Sequence, residues 1–314
     1  MTVKTDRLIT LFGGGGFIGR YVAQALYAQG ARVRIAAREP KRAYFLKPLG
    51  GLGQTQFVRA DITDPTSVAA ALVGADAAIN LVGVLKGNFQ ALHVHGARNV
   101  AEAAVAADLD ALVQVSAIGA DPESESAYGR SKGEGEAAVR DAFPGATIAR
   151  PSIVFGPEDD FVNKFARMAQ WLPAVPVIRG DWKVQPVFAA DLGTALAAAA
   201  LDPGAYGGKA YEFVGPQVLT MNQLNAWIAQ AIGRNRVIFD IPDAIARPMV
   251  RITGFLPGAP MTWDQWLMLQ VDNVSTGLPG LDAFGLRGTP LAAVAETWLT
   301  SYRRHGRFAT AIPR

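Results

Sequence analysis

The chain has 314 residues, half of them hydrophobic and 18% charged, which excludes a disordered chain and allows one large core or two smaller ones. It has no cysteine, which excludes disulfides and thiolate metal sites and suits a reducing compartment. Its formal charge of +3 comes without a basic stripe interleaved with aromatics, so nothing points to nucleic acid.

Short apolar runs alternate with helix-period segments through the first 150 residues. Leu8–Phe12 reads as a strand, and Ile18, Val22, Ala25 and Leu26 recur at helical spacing behind it. Further strands are expected at Val33–Ala37, Phe57–Ala60, Ala75–Val82 and Leu112–Val115, and at Thr147–Ala149, stopped by Pro151. Helices are expected around His93–Ala107 and from about Ala127 to Arg140. This alternation predicts an α/β fold, a Rossmann-type doubly wound parallel sheet. Beyond Gly156 the pattern loosens, with helices expected at Asp191–Leu201 and Met221–Ile232. Residues 1–155 therefore read as a dinucleotide-binding domain, completed by part of 185–215, and 156–314 as a smaller, irregular α+β domain for substrate or partner. The longest apolar candidate for a membrane span, Val187–Leu201, carries Asp191 and falls short of the ~18–20 residues needed.

Gly13-Gly14-Gly15-Gly16-Phe17-Ile18-Gly19 follows the first strand and opens a helix. Gly13, Gly16 and Gly19 have the spacing of a pyrophosphate cradle: a tight turn, a close backbone approach and close helix–strand packing. Gly15, Phe17 and Ile18 complete the turn, and the helix start offers free N–H groups to phosphate. At the end of the second strand an acid would accept the ribose hydroxyls of NAD, but this chain has Arg38, followed by Lys41 and Arg42. A guanidinium there favours the 2′-phosphate of NADP, with Glu39 as a partial offset. Asp61 and Ile62 are expected at the adenine edge, and Leu81, Val82 and Gly83 along the ribose and nicotinamide side.

Ser116 ends the fifth strand, and Tyr128 and Lys132, four apart on the next helix, face the same way. The ammonium is expected to lower the phenol pKa and hold the nicotinamide ribose. Tyr128 would then exchange a proton with a carbonyl oxygen that Ser116 polarises. The same three side chains would also serve a site that only binds the nucleotide. No metal site is expected: His93 and His95, two apart on a helix, share no face and read as packing or surface residues. Asp159 and Asp160 read as turn formers. Ile245, Met249, Ile252 and Leu256, beside Arg247 and Arg251, suit either a helix packed on its own domain or one lying on a membrane or partner. Arg303, Arg304 and Arg307 add charge that could meet anionic lipid.

Together these residues resemble the short-chain dehydrogenase/reductase superfamily in its extended, epimerase-like branch. Arg150-Pro151-Ser152-Ile153-Val154-Phe155-Gly156-Pro157 is similar to the segment those proteins carry after the sixth strand, which implies that Pro151, Ser152 and Ile153 line the nicotinamide. Val187-Phe188-Ala189-Ala190-Asp191 is similar to a later strand-to-helix junction of the branch. Phe12 in place of the usual Thr, Leu52-Gly53-Gln54, His93 to Val100, and Met261-Thr262-Trp263-Asp264-Gln265 through Val271-Asp272-Asn273-Val274 narrow the likeness. They resemble the family of the nucleotide-binding accessory subunit of respiratory complex I and its bacterial relatives. That resemblance implies tightly held NADPH with a mainly structural role, complex I subunits near the quinone site as partners, and a peripheral place on the cytoplasmic side of a bacterial inner membrane. It leaves open a catalytic NADPH-dependent reductase of a quinone precursor or lipid-like carbonyl and, more remotely, a sugar-nucleotide epimerase or dehydratase.

Overall fold

A computed structural model describes residues 6–256, 259, 261–304 and 306; Arg307 of the basic tail lies outside them. The strands are β1 (Leu8–Phe12), β2 (Arg32–Ala37), β3 (Thr55–Arg59), β4 (Ala77–Asn80), β5 (Ala111–Val115), β6 (Thr147–Pro151), β7 (Val154–Phe155), β8 (Ala174–Ile178), β9 (Lys183–Val184), β10 (Val187–Phe188), β11 (Ala210–Phe213), β12 (Leu219–Thr220) and β13 (Val237–Ile241). The main helices are α1 (Phe17–Ala28), α2 (Pro65–Leu72), α3 (Gly96–Ala106), α4 (Ala127–Ala142), α5 (Phe161–Trp171), α6 (Ala189–Leu201), α7 (Pro203–Tyr206), α8 (Met221–Ala231), α9 (Asp243–Thr253) and α10 (Trp263–Met268). They form two units. The first comprises Met1–Pro151, Ala189–Phe213 and Thr276–Arg287; the second comprises Ser152–Phe188, Val214–Ser275 and Gly288–Arg314.

The first unit is built on a seven-stranded sheet in the order β11-β6-β5-β4-β1-β2-β3, with every pairing parallel. Strands covered on both faces need unbroken apolar runs, and all five residues of both β1 and β5 are buried. The order reverses between β1 and β4, which opens a crevice at the carboxyl ends of those strands. The alanine-rich α6 packs against α1.

Two arginines, Arg34 buried and Arg150 partly buried, tie helices to this sheet. Arg34 on β2 donates to the Ala71 and Val73 carbonyls at 2.7 and 2.9 Å, so it caps the C-terminal end of α2 in place of a solvent partner. Arg150 on β6 forks onto Glu136 of α4, with Nε to Oε1 at 2.8 Å and a terminal nitrogen to Oε2 at 2.6 Å. β6 does not stop before Pro151: the proline lies opposite Phe213 of β11, and its carbonyl accepts from the Ile118 N–H at 3.1 Å. Proline removes a donor but leaves the acceptor and an extended φ, so it is tolerated at a strand's last residue. Glu212 on β11 draws the distant Thr276 into this unit, accepting from its N–H at 2.6 Å and its hydroxyl at 2.8 Å.

In the second unit, Phe155, Val162, Val175, Leu224, Ile228, Leu291 and Leu299 form the core. β8 and β13 pair in parallel over five residues. Asp159 does shape a turn: buried, it accepts from the Gly156 N–H at 3.0 Å and the Val162 N–H at 2.6 Å, and so fastens the start of α5. Burial pushes its carboxyl pKa up. On α9 the residues that turn inward are Ala246 and Val250, whereas Ile245 and Ile252 are 59% and 67% exposed. Among the described residues no helix is long and apolar enough to cross a membrane.

Candidate functional site

The glycine turn lies at the mouth of the crevice. Gly13 has φ +75°, a conformation that L side chains rarely adopt, and its N–H bonds the Ala36 carbonyl at 3.1 Å. A Cβ there would stand 3.2 Å from Val82 Cγ2 and 3.3 Å from the Leu81 carbonyl carbon, so Gly13, Leu81 and Val82 share one spot. Gly19 is needed for another reason: a Cβ would drive into the Gly14 backbone where α1 leaves the turn. Gly16 precedes α1 without a capping side chain, which leaves the N–H groups of Phe17 and Ile18 at an uncapped helix start.

At the adenosine end, Arg38 is exposed just past β2. Glu39 does not offset it directly, because its carboxylate pairs with Arg42 at 2.9 Å. Asp61 follows β3 and accepts from the Thr63 N–H at 3.0 Å and the Thr63 hydroxyl at 2.8 Å. The Thr63 N–H, more than the nearby Arg38 charge, holds the Asp61 carboxyl below its usual range. Ile62 is buried beside it, its carbonyl held by Asn99 Nδ2 at 2.8 Å.

At the other end, Ser116 extends the β5–β6 ladder through an N–H bond to the Ala149 carbonyl at 2.7 Å. Its hydroxyl oxygen is buried and has no hydrogen-bond partner among the described residues. A buried hydroxyl left unpaired costs about 1–3 kcal/mol, a cost that a water or a ligand at this atom would remove. Lys132 is buried and donates from Nζ to the Val115 carbonyl at 3.2 Å. Burial pushes its pKa down to about 8, with Glu136 opposing. Lys132 Nζ sits 5.9 Å from the centre of the Tyr128 ring. The phenol pKa is not lowered by that ammonium as expected from the spacing; burial pushes it up to about 12. Desolvation of the phenolate keeps the hydroxyl protonated. Gly83 lies against this group, since a Cβ there would be 3.2 Å from Lys132 Nζ.

His93 is a packing residue, as read from the sequence, and it packs in the same cluster. It is buried, its ring is 5.6 Å from that of Tyr128, and its Nε2 receives the Val84 N–H at 3.0 Å. It lies on a π-helical turn, Gln90–His95, ahead of α3. His95 is exposed.

Pro151 ends β6 in the first unit, while Ser152 and Ile153 fall in the second. There the Ser152 hydroxyl bonds Asn273 Oδ1 at 2.5 Å and the Asn273 carbonyl at 3.1 Å, and the Ile153 N–H bonds Asn273 Oδ1 at 3.1 Å. Asn273 also bridges to β9, with its N–H on the Lys183 carbonyl at 2.8 Å. The Lys183 N–H donates to Asp272 Oδ1 at 3.0 Å. The late Val271–Ser275 segment thus staples the start of the second unit.

A glycine turn at the reversal of a parallel sheet, with a buried orphan hydroxyl beyond it, defines an NAD(P)H-binding protein with a Rossmann-type fold, and residues 13–153 match the family described as NAD(P)H-binding. The chain belongs to the family of NADH dehydrogenase (ubiquinone) 1 alpha subcomplex subunit 9. It is 34% identical over 312 residues to the mitochondrial member from Mus musculus, spanning 96% of this chain and 82% of that protein. It is also 31% identical over 202 residues to a ceramide reductase from Caulobacter vibrioides, across 63% of this chain and 62% of that one. Among solved structures, the Bordetella bronchiseptica enzyme WbmH in complex with NAD+ superposes with a TM-score of 0.70 at 19% identity, over 96% of this chain and all of that one, a likeness of fold.

Proposed function

We propose that this chain is an accessory or assembly subunit of respiratory complex I that holds NADPH as part of its structure. The observation that carries this reading is the reach of its kinship, which extends over 96% of the chain and well past the nucleotide-binding residues 13–153. A shared dinucleotide site alone would account for likeness only in that first part. Gly13, Gly15, Gly16, Phe17, Ile18 and Gly19 would take the pyrophosphate. Leu81, Val82, Gly83, Ser116, Tyr128, Lys132 and Pro151 would meet the nicotinamide half. The exposed Ile245 and Ile252, with Arg247 and Arg251, would lie against an anionic membrane surface.

Fractionation of native membranes tests this directly. The protein should sediment with them, leave under high salt, and co-purify with complex I subunits and bound NADPH. A chain that runs free and alone in native extracts would overturn the reading.

Selectivity for the phosphorylated nucleotide rests on Arg38. Arg38→Ala should weaken NADP(H) about tenfold, the worth of one exposed charge-assisted hydrogen bond, and leave NAD(H) nearly unchanged. Equal losses for both nucleotides in calorimetric titrations would remove the argument.

The orphan Ser116 hydroxyl favours a second reading, a reductase of a quinone precursor or lipid-like carbonyl. Bound nicotinamide would supply hydride. Ser116 would polarise the carbonyl oxygen and Tyr128 would give it a proton, with Lys132 holding the ribose. Tyr128→Phe should then reduce NADPH oxidation by about 100-fold or more, the low end for a positioned acid. Unchanged turnover would exclude this mechanism.

A further inference from the structure

His93 is a buried titratable side chain with a defined partner on each ring nitrogen, and the proposed site has no use for it. The Val84 backbone N–H can only donate, so Nε2, 3.0 Å away, accepts and carries no proton. The ring proton is therefore on Nδ1, 2.9 Å from Ser131 Oγ. The Ser131 hydroxyl in turn donates to the Tyr128 carbonyl at 2.9 Å, which leaves its oxygen free to accept from His93. Every hydrogen in this chain has one direction. It runs from the loop after β4, through the imidazole, to the turn of α4 that carries Tyr128 and Lys132.

The surroundings hold the ring neutral and in place. Burial, with Lys132 adding to it, pushes the His93 pKa down to about 3. Phe89 stacks on the ring at 5.4 Å with 13° between planes, and Tyr128 meets it edge-on. The π-helical turn Gln90–His95 supplies the inward aim. A Cβ on Gly83 would stand 3.2 Å from Lys132 Nζ and 3.8 Å from His93 Nε2, so the Gly83 backbone lies close to both.

We infer that His93 is a positioning residue of the nucleotide site: its Nε2 acceptor holds the Gly83–Val84 backbone against Lys132, and so sets where the nicotinamide ribose lies. This rests on the nucleotide-binding reading above. A ring that only filled space would tolerate any side chain of similar volume. A ring acting through Nε2 would not, and the two ring nitrogens can be separated chemically. A glutamine amide reaches the place of Nε2, whereas an asparagine amide reaches only the place of Nδ1.

The test is fluorescence titration of wild type, His93→Phe, His93→Gln and His93→Asn with NADPH, together with hydrogen exchange at the Val84 amide. His93→Phe and His93→Asn should bind at least tenfold more weakly, and their Val84 amide should exchange faster while amides of β1 stay protected. His93→Gln should restore affinity to within about threefold of wild type and restore protection of Val84. Wild-type affinity in the Phe variant, or rescue by Asn rather than Gln, would overturn the inference and leave the site reading intact. A wild-type chain that binds no dinucleotide would instead overturn the site reading and, with it, this role for His93.

Discussion

Glu136→Ala should destabilise the first unit by about 2–3 kcal/mol, less than the effect of stranding a fully buried charge because the Arg150 side chain is 24% exposed. Glu136 is 4% exposed and accepts both forks of Arg150, with Arg140 a further 3.8 Å contact. Its removal leaves the Arg150 guanidinium without its hydrogen-bonded carboxylate, with only the more remote charges of Glu212 and Asp121 to balance it. The Glu136 hydrogen bond, ahead of any other cause, is what raises the Arg150 pKa, so Arg150 has no easy neutral form to fall back on. A paired Glu136→Met, Arg150→Met variant should recover most of the loss, because two buried apolar side chains carry no desolvation penalty. All six tryptophans lie in the second unit. Tryptophan fluorescence therefore follows that unit, while amide exchange in β5 and β6 follows the first. Urea unfolding should shift in the exchange-detected transition; an unchanged midpoint there would show that the fork contributes little. NADPH affinity should fall as well, since α4 carries Tyr128 and Lys132.

What could be read in advance was whatever repeats with a period or sits in a local strand–turn–helix context. Leu8–Phe12 followed by glycines and by Ile18, Val22 and Leu26 defines the opening of a parallel α/β sheet, because the signal lies within 20 consecutive residues. The return of Thr276 to β11 has no such signal; it depends on one carboxylate, Glu212, meeting a backbone and a hydroxyl 64 residues away. The staple of Asn273 on Ser152 spans 121 residues and was visible only as family likeness. Periodicity also identified α9 without saying which side faces in. The large side chains Ile245 and Ile252 carry the apolar rhythm, yet the small Ala246 and Val250 make the buried seam. His93 and His95 read as packing or surface residues, and the first is buried and the second exposed; the partners of the His93 imidazole had no signal in helical spacing, since they lie on a π turn, a loop and another helix.

The glycine turn allows the sharpest test of whether the nucleotide is a structural part. Gly13→Val should lower NADPH affinity by about 100-fold, near 2.8 kcal/mol. Part of this is backbone strain, about 1–2 kcal/mol for a side chain at positive φ and more for a β-branched one. The rest is crowding: the new Cβ meets Val82 Cγ2 at 3.2 Å and the Leu81 carbonyl carbon at 3.3 Å, so the turn and the loop after β4 must part. The same loop carries Val84, which His93 holds, so displacement at Gly13 reaches the nicotinamide end. Purified Gly13→Val protein should carry no NADPH while amide exchange in β5 and β6 stays near wild type. If the dinucleotide is structural, this emptied but folded chain should be lost from complex I in native extracts. If it is present there at wild-type abundance, the structural role fails, and the orphan hydroxyl of Ser116 becomes the stronger guide to function.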